Sequence, residues 1–444
     1  MSIIEQVKAS GIIGAGGAGF PTHVKLNSKA DYILLNGAEC EPLLRVDQQL
    51  MAMYPEKIIT GLYLAGQQVE AKHAIIGIKV KHQDVIEILR NKIKELELAA
   101  QVSVKELPDI YPAGDEQVLV YELTGRVVPE TGIPIAVGCV VINTETALNI
   151  FHATQGEPVV DKYVTIAGEV PEPVTVKVPV GTPLRDVIAL SGIKSLAGYA
   201  VIDGGPMMGP LATNLDGFVT KKTKGLVILP EEHNLIRKKQ KEMRSAVTLN
   251  KTACEQCRMC TDLCPRHLLG HSTSPHKMVR AMSYSKMTAQ EDLTVAQTCC
   301  QCNLCEYFSC PAGINPKMAN LYFMTEQKKE GIKFVPKKEA YTPRAMRAYR
   351  LVPSKRLIAH IGIKKYDKRA PLRLDIGYAP AQVGISLCAH VGAPAEPTVK
   401  PGDSVKRGDL IGRIPEGKIG AVCHASVDGI VASIENGIVI IRRD

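Results

Sequence analysis

The sequence predicts a multidomain protein in which α/β and α+β modules precede a helical, cysteine-rich domain and a small C-terminal barrel. About the first 155 residues alternate between helical and strand patterns, which is typical of a mainly parallel α/β sheet. Between residues 254 and 310, eight of the nine cysteines form two closely spaced runs. After residue 375, short β-rich runs are broken by Gly and Pro, as in small barrels and sandwiches.

Size and composition limit the classes of protein to consider. The 444 residues, 45% hydrophobic and 22% charged, predict a globular protein of two to four domains. The net charge of +9 can indicate binding to nucleic acid, to an anionic membrane surface or to an acidic partner. Its one dense basic run, residues 237–244, has no interleaved aromatic residues, so we interpret it as a solvated helix or linker and expect no nucleic-acid binding.

We expect a cytoplasmic protein without a membrane span. The N-terminus lacks a signal-peptide pattern, and no stretch of about 18 apolar residues occurs. Thirteen cysteines in such a chain indicate metal ligation in a reducing compartment and argue against disulfides.

Changes in the secondary-structure pattern along the sequence predict the domain boundaries. Residues 1–158 form the α/β domain, with strands at 32–35 and 74–80 and helices at 54–68 and 84–97. Residues 159–230 contain two strand pairs and an amphipathic segment with Thr182 as candidate N-cap, which predicts a small α+β module. The remaining predictions are a helical domain at 231–345, a basic linker at 346–374 and the barrel at 375–444.

The cysteine spacing predicts two [4Fe–4S] clusters. Cys254, Cys257, Cys260 and Cys264 form C-x2-C-x2-C-x3-C followed by Pro265, which matches the bacterial ferredoxin run. The second run is Cys299, Cys302, Cys305 and Cys310, followed by Pro311, with a last gap one residue longer. Because the fourth cysteine of such a run ligates the other cluster, the predicted sets are crossed. Cys310 joins the first three cysteines of the first run, and Cys264 joins those of the second.

The alternative to iron–sulfur clusters is a pair of zinc sites, which commonly use two separate C-x2-C pairs. Two runs of four cysteines, each followed by Pro, fit that zinc pattern poorly. The spacing excludes Cys300 as a ligand, so we expect a buried thiol there. We expect structural roles for the other four cysteines, which are Cys40, Cys139, Cys388 and Cys423.

A glycine-rich loop and a polar loop are candidates for ligand binding. Residues 14–19, Gly-Ala-Gly-Gly-Ala-Gly, satisfy G-x-G-x-x-G, but a helical pattern precedes them and Phe20-Pro21 follows, unlike a dinucleotide fingerprint. Such a loop can still cradle a phosphate or lie against a flat ring. Residues 36–42 follow a predicted strand, where ligands bind in open α/β sheets, and an ordinary polar loop is the alternative.

Taken in order, these motifs resemble a known family. Five segments together resemble the flavin-binding subunit of respiratory NADH dehydrogenase. They are residues 14–22, Lys25 and residues 36–42, 111–119 and 143–146. Gly-Gly-Pro-Met-Met-Gly at 204–209 and the paired cysteine runs are closer to the family of the Rnf-complex C subunit and the cobalamin reductase of propanediol-utilisation microcompartments. The C-terminal position of the barrel resembles the cobalamin-reductase branch, because the Rnf protein has its version in front.

The resemblance implies a fold for each module. The first is an FMN-binding α/β domain and the second a β-grasp-like (SLBB) module. A helical ferredoxin-like domain with two [4Fe–4S] clusters and a C-terminal barrel-sandwich hybrid of biotinyl/lipoyl type follow. In the barrel, Lys418 lacks the Met-Lys-Met context of a modified lysine, so we expect a structural or docking role for this domain.

The resemblance also implies FMN in the first domain, with NADH beside it. The implied cofactor-binding residues are Gly14, Gly16, Gly17, Gly19, Lys25, Asn36, Glu39, Glu41, Asp115, Glu116, Asn143 and Thr146. Respiratory flavin subunits have Arg as the second residue of the glycine loop, and this chain has Ala15. That difference bears on NADH affinity more than on FMN binding. No residue is assigned as an acid or base.

Two functions follow as hypotheses. The first is an NADH-oxidising flavo-iron–sulfur enzyme that reduces a corrinoid or another electron carrier. The second is an electron-relay subunit of a larger complex, without its own NADH site. A nucleic-acid-binding iron–sulfur protein is a third hypothesis, motivated by charge alone. The expected partner is a redox protein or corrinoid enzyme, and the expected setting is the cytoplasm, a microcompartment or the surface of a membrane complex.

Overall fold

A parallel four-stranded sheet with helices on both faces forms the first domain of the computed structural model, which describes residues 1–283 and 290–443. The strands of the domain are β1 (Tyr32–Gly37), β2 (His73–Lys79), β3 (Val102–Leu107), the short β4 (Ile110–Tyr111) and β5 (Cys139–Asn143). The sheet order is β3-β2-β1-β5. Ile33 and Leu35 pack into one core and Leu34 into the other, so both faces of β1 are buried, as expected of a parallel sheet.

Seven helices cover this sheet. They are α1 (Ile3–Ala9), α2 (Thr22–Leu26), α3 (Val46–Met53), α4 (Pro55–Gln68), α5 (Gln83–Glu95), α6 (Glu116–Thr124) and α7 (Thr144–Thr154). Helix α1 begins with a capping box between Ser2 and Glu5, which satisfies free N–H groups at its start. A Cβ at Gly61 would lie 2.0 Å from the carbonyl oxygen of Ala147, so glycine allows α4 and α7 to pack at close range.

The second module is a mixed sheet with four strands of its own and one helix, and Leu372–Arg373 adds a fifth strand. Its elements are β6 (Asp161–Gly168), β7 (Val174–Pro179), α8 (Leu184–Ala189), β8 (Tyr199–Asp203) and β9 (Gly225–Pro230). The two predicted strand pairs are present as the antiparallel pairs β6–β7 and β8–β9. Helix α8 differs at its start, because Pro183 is the N-cap and the Thr182 hydroxyl donates to the Pro179 carbonyl, 2.7 Å away.

The cysteine-rich domain consists of short helices joined by irregular loops. The helices are α9 (Asn234–Lys239), α10 (Met243–Ala253), α11 (Met259–Asp262), α12 (Pro265–Leu268), α13 (Pro275–Ser283), α14 (Gln290–Leu293) and α15 (Pro316–Lys329). A π-helical turn covers Cys305–Ser309. Among the described residues, no helix is both long enough and apolar enough to cross a membrane.

Residues 346–374, for which the sequence predicts a linker, are folded onto the neighbouring domains. They contain α16 (Arg347–Arg350), β10 (Val352–Pro353), α17 (Ser354–His360) and β11 (Leu372–Arg373). Strand β10 pairs with β4 of the first domain, and β11 extends the sheet of the second module beside β7. The buried Lys79 donates to the Ser354 hydroxyl at 2.9 Å. The sequence pattern missed these elements because strands of two residues carry no periodicity.

The C-terminal domain is a two-sheet β-sandwich. Its strands are β12 (Gln382–Ser386), β13 (Glu396–Pro397), β14 (Ser404–Val405), β15 (Leu410–Arg413), β16 (Cys423–His424), β17 (Gly429–Glu435) and β18 (Ile438–Arg442). The sheets have the orders β12-β18-β17-β14 and β13-β15-β16 and share one apolar core. The backbone N–H of Val391 donates to the carbonyl of Gly19 at 3.0 Å, so this domain contacts the glycine loop directly.

Candidate functional site

A cleft of about 220 Å³ opens where β1 and β5 end. Both strands run in the same direction, and their carboxyl ends are where open α/β sheets bind ligands. Seven of the predicted residues line this cleft: Gly14, Gly16, Lys25, Asn36, Glu116, Asn143 and Thr146. Ala18, Phe20, Thr22, Gly114, Val141 and Ile142 complete its lining. We call it the flavin cleft, after the cofactor that the resemblance implies.

The glycine loop forms one wall of the flavin cleft and is anchored at both ends. The N–H of Ala15 donates to the Thr146 hydroxyl at 3.1 Å, and the N–H of Gly14 donates to the Phe20 carbonyl at 2.9 Å. Gly16 is exposed, and its N–H has no protein acceptor among the described residues. The loop therefore offers the cleft an unpaired donor, which suits the phosphate of a nucleotide-type cofactor.

Lys25 is the cation of the flavin cleft. Its ammonium group donates to the carbonyl of Val141 at 2.9 Å and to Oε1 of Glu116 at 3.3 Å. The Lys25 side chain is 33% exposed, so the ammonium remains accessible from the cleft. A partly accessible cation and an unpaired backbone donor thus line the same cleft, and both are groups that bind phosphate.

Two asparagines fix the backbone at the strand ends. Asn143 caps α7 by accepting from the N–H of Glu145 at 3.0 Å. Asn36 donates to the Gly114 carbonyl at 2.9 Å and accepts from the N–H of Ala38. Asn36 thereby joins the polar loop that follows β1 to the loop that precedes α6.

Glu39 lies outside the cleft, within a buried ionic cluster. Its carboxylate accepts from the N–H of Asp47 at 2.8 Å, at the start of α3. Burial, followed by repulsion from Asp47, raises the pKa of Glu39. Lys224 from the second module forms an ion pair with Asp47, and Asn143 donates to the same carboxylate at 3.3 Å. The ionic cluster thereby contacts Asn143, which lines the cleft. No sequence pattern indicated that Lys224 belongs to this cluster.

Glu41 also lies outside the cleft and holds the second module. Its carboxylate accepts from the N–H groups of Met207 and Met208, each at 2.9 Å. A Cβ at Gly205 would come within 2.1 Å of Oε2 of Glu41, so glycine makes room for this contact. Asn303, between two cysteines, donates to the Met207 carbonyl at 2.5 Å. The 204–209 motif thus joins three domains.

Asp115 and Tyr111 connect the flavin cleft to the cysteines. Asp115 caps α6 and forms an ion pair with Arg266 at 2.8 Å, both side chains being 11% exposed. The Tyr111 hydroxyl donates to the Cys302 carbonyl at 2.8 Å. Gly114 and Glu116, from the same loop, line the cleft. We call residues 111–116 the bridging loop, because it contacts the cleft at one end and the cysteine domain at the other.

The structure brings cysteines of both runs close together. Cys264 of the first run lines one small cavity with Cys299, Cys302 and Cys305 of the second run and with Cys300. Burial raises the pKa of Cys260 to about 12, and the neighbouring thiolates that add to this shift are Cys310, Cys254 and Cys257. Within the described residues, no three His, Cys, Asp or Glu side chains are arranged to hold a single metal ion. The assignment of these thiols as cluster ligands stays a prediction.

The two cysteine runs share an unusual backbone conformation. Gln256 and Arg258 in the first run, and Gln301 and Asn303 in the second, have left-handed backbones with φ between +51° and +66°. These residues occupy equivalent positions between successive cysteines. Non-glycine residues adopt this region rarely, so its repetition at matching positions indicates two copies of one ligand-binding turn.

Family models match four segments of the chain. The models are the Nuo51 FMN-binding domain for residues 7–152, the SLBB domain for 163–211, the 4Fe-4S dicluster domain for 253–315 and the RnfC barrel sandwich hybrid domain for 360–442. They confirm the predicted fold class of FMN-binding α/β, SLBB, iron–sulfur and barrel-sandwich domains.

Whole-chain relatives are also known. The chain is 43% identical to the cobalamin reductase PduS of Citrobacter freundii, over 99% of this chain and 96% of that one. It is 41% identical to the PduS of Salmonella typhimurium with the same coverage. The C subunit of the Na(+)-translocating ferredoxin:NAD(+) oxidoreductase complex of Acetobacterium woodii is 37% identical, over 60% of this chain and 58% of the relative.

Among solved structures, an NAD+-reducing [NiFe]-hydrogenase in its H2-reduced state is 20% identical, with a TM-score of 0.48 over 78% of this chain and 64% of the hydrogenase chain. The full-length identity to both PduS proteins, together with the domain matches, identifies the family. The chain belongs to the cobalamin reductase PduS family and is a flavo-iron–sulfur electron-transfer oxidoreductase.

Proposed function

We propose that the chain takes electrons from NADH and delivers them to a corrinoid or a redox partner protein. In this proposal FMN occupies the flavin cleft, and the eight cysteines of the two runs hold two [4Fe–4S] clusters. FMN supplies the exchange between a two-electron hydride donor and one-electron carriers, and iron–sulfur clusters carry single electrons. The protein groups bind the cofactors, orient them and tune the local charge.

The bridging loop is the observation that carries this proposal. Gly114 and Glu116 line the flavin cleft, while Tyr111 and Asp115 contact the cysteine domain. Cys40, on the neighbouring polar loop, packs in the same apolar cluster as Tyr111 and Cys302. A ligand in the cleft and a cluster at Cys302 would therefore contact one short segment, which supports electron transfer between them within this chain.

The cleft residues would hold FMN by its phosphate and its ring. The unpaired N–H of Gly16 and the ammonium of Lys25 are suited to the phosphate. The glycine loop presents no side chain larger than the methyl group of Ala18 to the cleft, so a flat ring system can approach the backbone there. Asn36 and Asn143 keep the two strand ends in register around the bound group.

NADH binding is proposed despite Ala15. The Lys222 side chain lies against the glycine loop, since a Cβ at Gly19 would come within 2.6 Å of its Cδ. Its ammonium makes no ion pair or hydrogen bond among the described residues, and its charge acts on Asp203 and on His390 of the C-terminal domain. We propose that Lys222 supplies the positive charge that the respiratory loop obtains from Arg, and that NADH binds beside it.

The test compares cofactor content and NADH kinetics in two variants. Anaerobically purified protein is expected to contain about one FMN and about eight iron atoms per chain, the content of one flavin and two cubane clusters. Lys222→Ala should raise the KM for NADH about tenfold or more with little change in kcat, because a charge contact to the bound nucleotide is lost. Lys29→Ala, an exposed lysine paired with Glu70, is the matched control. If the flavin stays oxidised after NADH addition, NADH oxidation by this chain is excluded. The alternative, an electron-relay subunit without its own NADH site, would then remain.

A further inference from the structure

A second cleft, separate from the flavin cleft, lies beside the cysteine domain. It has a volume of about 570 Å³ and is formed by residues around α9, the π-helical turn and the end of α17. Arg237, Lys238 and Lys241 of the basic run form one side, and Tyr307 and His360 line the other. The basic run is therefore part of a concave surface, whereas its sequence indicated only a solvated helix or linker.

The cations of this cleft form no ion pair among the described residues, although the carboxylate of Glu306 interacts electrostatically with Lys238 and Lys241. Neither Arg237 nor Lys238 forms an ion pair within the described residues, and Lys241 makes only a long contact of 3.4 Å with Oδ1 of Asn315. Glu232 lines the cleft and is exposed. Glu306 lies behind the wall, where Asn315 donates to its Oε1 at 2.9 Å. Three cations against one lining carboxylate leave a net positive charge.

The half-buried lysines interact unfavourably with each other. Burial lowers the pKa of Lys238, the nearby carboxylate of Glu306 opposes this shift, and the charge of Lys241 adds to it. An anion placed between the two ammonium groups would relieve this repulsion and would lie in a site partly screened from water, where charge-assisted hydrogen bonds are strong. The side-chain chemistry therefore selects a compact anion, such as a phosphate group.

The shape of the cleft selects an organic ligand over a bare ion. Its volume falls within the range of about 300–1,000 Å³ that is typical of small-molecule sites. Tyr307 is buried, with the ammonium of Lys238 5.9 Å from its ring centroid. Tyr307 follows Cys305 by two residues and precedes Cys310 by three. A ligand here would therefore be close to both cysteine sets.

We propose that this cleft binds an organic phosphate, with the phosphate held by Lys238, Lys241 and Arg237. Two sources share this chemistry, namely a free nucleotide and the phosphodiester of a corrinoid. Binding at this cleft does not depend on NADH oxidation, so the proposal can fail or hold independently of the proposed function.

The test is calorimetric titration of the oxidised, cofactor-loaded protein with ADP and, separately, with cyanocobalamin. We expect at least one of them to bind, and the double variant Lys238→Glu/Lys241→Glu to weaken that binding tenfold or more. The charge-preserving Lys238→Arg/Lys241→Arg variant should retain binding. Lys328→Glu, at an exposed position of α15, should leave it unchanged. Normal iron and flavin content shows that each variant is folded.

Loss of affinity for ADP alone would assign a nucleotide, and loss for cyanocobalamin alone would assign a corrinoid. The proposal is overturned if neither probe binds the parent protein, or if both bind the double variant as tightly as the parent. It is also overturned if only poly-glutamate binds in a manner that depends on Lys238 and Lys241, because the surface would then be a docking face for an acidic protein.

Discussion

The Tyr111 hydroxyl donates a hydrogen bond to the Cys302 carbonyl at 2.8 Å, between a tyrosine that is 2% exposed and a cysteine that is 8% exposed. Tyr111 belongs to the loop that lines the flavin cleft, and Cys302 belongs to the second cysteine run. This bond therefore joins the two regions whose cooperation the proposed function requires. Removing the hydroxyl would leave a buried carbonyl without its partner.

Tyr111→Phe should slow electron transfer between the flavin cleft and the cysteine domain without changing FMN content. The orphaned carbonyl costs about 1–3 kcal/mol, which loosens the contact between the two regions. Stopped-flow spectroscopy after NADH addition should show normal flavin bleaching and delayed cluster bleaching. Tyr322→Phe, at a side chain that is 38% exposed, is the control. Equal cluster rates in both variants would remove Tyr111 from the path.

Cys299→Ser and Cys300→Ser form a matched pair at adjacent positions. The spacing assigns Cys299 as a ligand and excludes Cys300, although Cys300 also lines the cavity of the second set. We expect Cys299→Ser to lose about half of the iron, corresponding to one of two clusters, and Cys300→Ser to retain nearly all of it. Iron analysis and electron paramagnetic resonance of the reduced protein measure this difference. Equal losses would show that the spacing misassigns the ligand.

Lys25→Met should weaken FMN binding about tenfold or more, because the only lysine lining the flavin cleft within the described residues is lost. Glu41→Gln should leave FMN affinity unchanged, since Glu41 contacts Met207 and Met208 and does not line the cleft. Fluorescence titration of the flavin-depleted protein with FMN measures both. A large loss in Glu41→Gln with none in Lys25→Met would place the flavin elsewhere.

His424 should make the C-terminal domain sensitive to mild acid. Burial lowers its pKa to about 4, whereas an unfolded histidine titrates near 6.5. Because the native pKa is the lower one, the stabilisation is complete above about pH 6.5 and is lost as the pH falls towards about 4, to the extent of about 3 kcal/mol.

Thermal unfolding followed across this pH window is the measurement for His424. Between pH 7 and pH 5, the melting temperature of the parent protein should fall by more than that of the His424→Gln variant. His73→Gln, at an exposed position, should follow the parent. An unchanged pH dependence in His424→Gln would contradict the assignment.

The sequence predicted the features that depend on local spacing. The crossed cysteine grouping is predicted from gaps of two, three and four residues, and the structure places Cys264 and Cys299 in one cavity. The glycine loop and Lys25 could be found because their motifs occur in a fixed order along one domain. Such features can be recognised from residues that lie close together in the sequence.

Long-range contacts were not predictable in the same way. Lys224 reaches Asp47 across 177 residues, and Lys222 reaches the glycine loop from the second module. Single cations on polar segments resemble ordinary surface residues until the domains are assembled. For the same reason Glu41 matched a cofactor motif by sequence, although its carboxylate holds the 204–209 loop in place.

The most direct test of the central claim is anaerobic NADH addition to the protein with and without FMN, followed by electron paramagnetic resonance of the clusters. If electrons pass from FMN in the flavin cleft to the cysteine domain through the bridging loop, NADH should reduce the clusters only in the FMN-loaded protein. Dithionite should reduce the clusters in the FMN-loaded and the flavin-depleted protein alike. Cluster reduction by NADH at equal rates in the flavin-depleted protein would contradict the account, as would clusters that stay oxidised after the flavin is reduced.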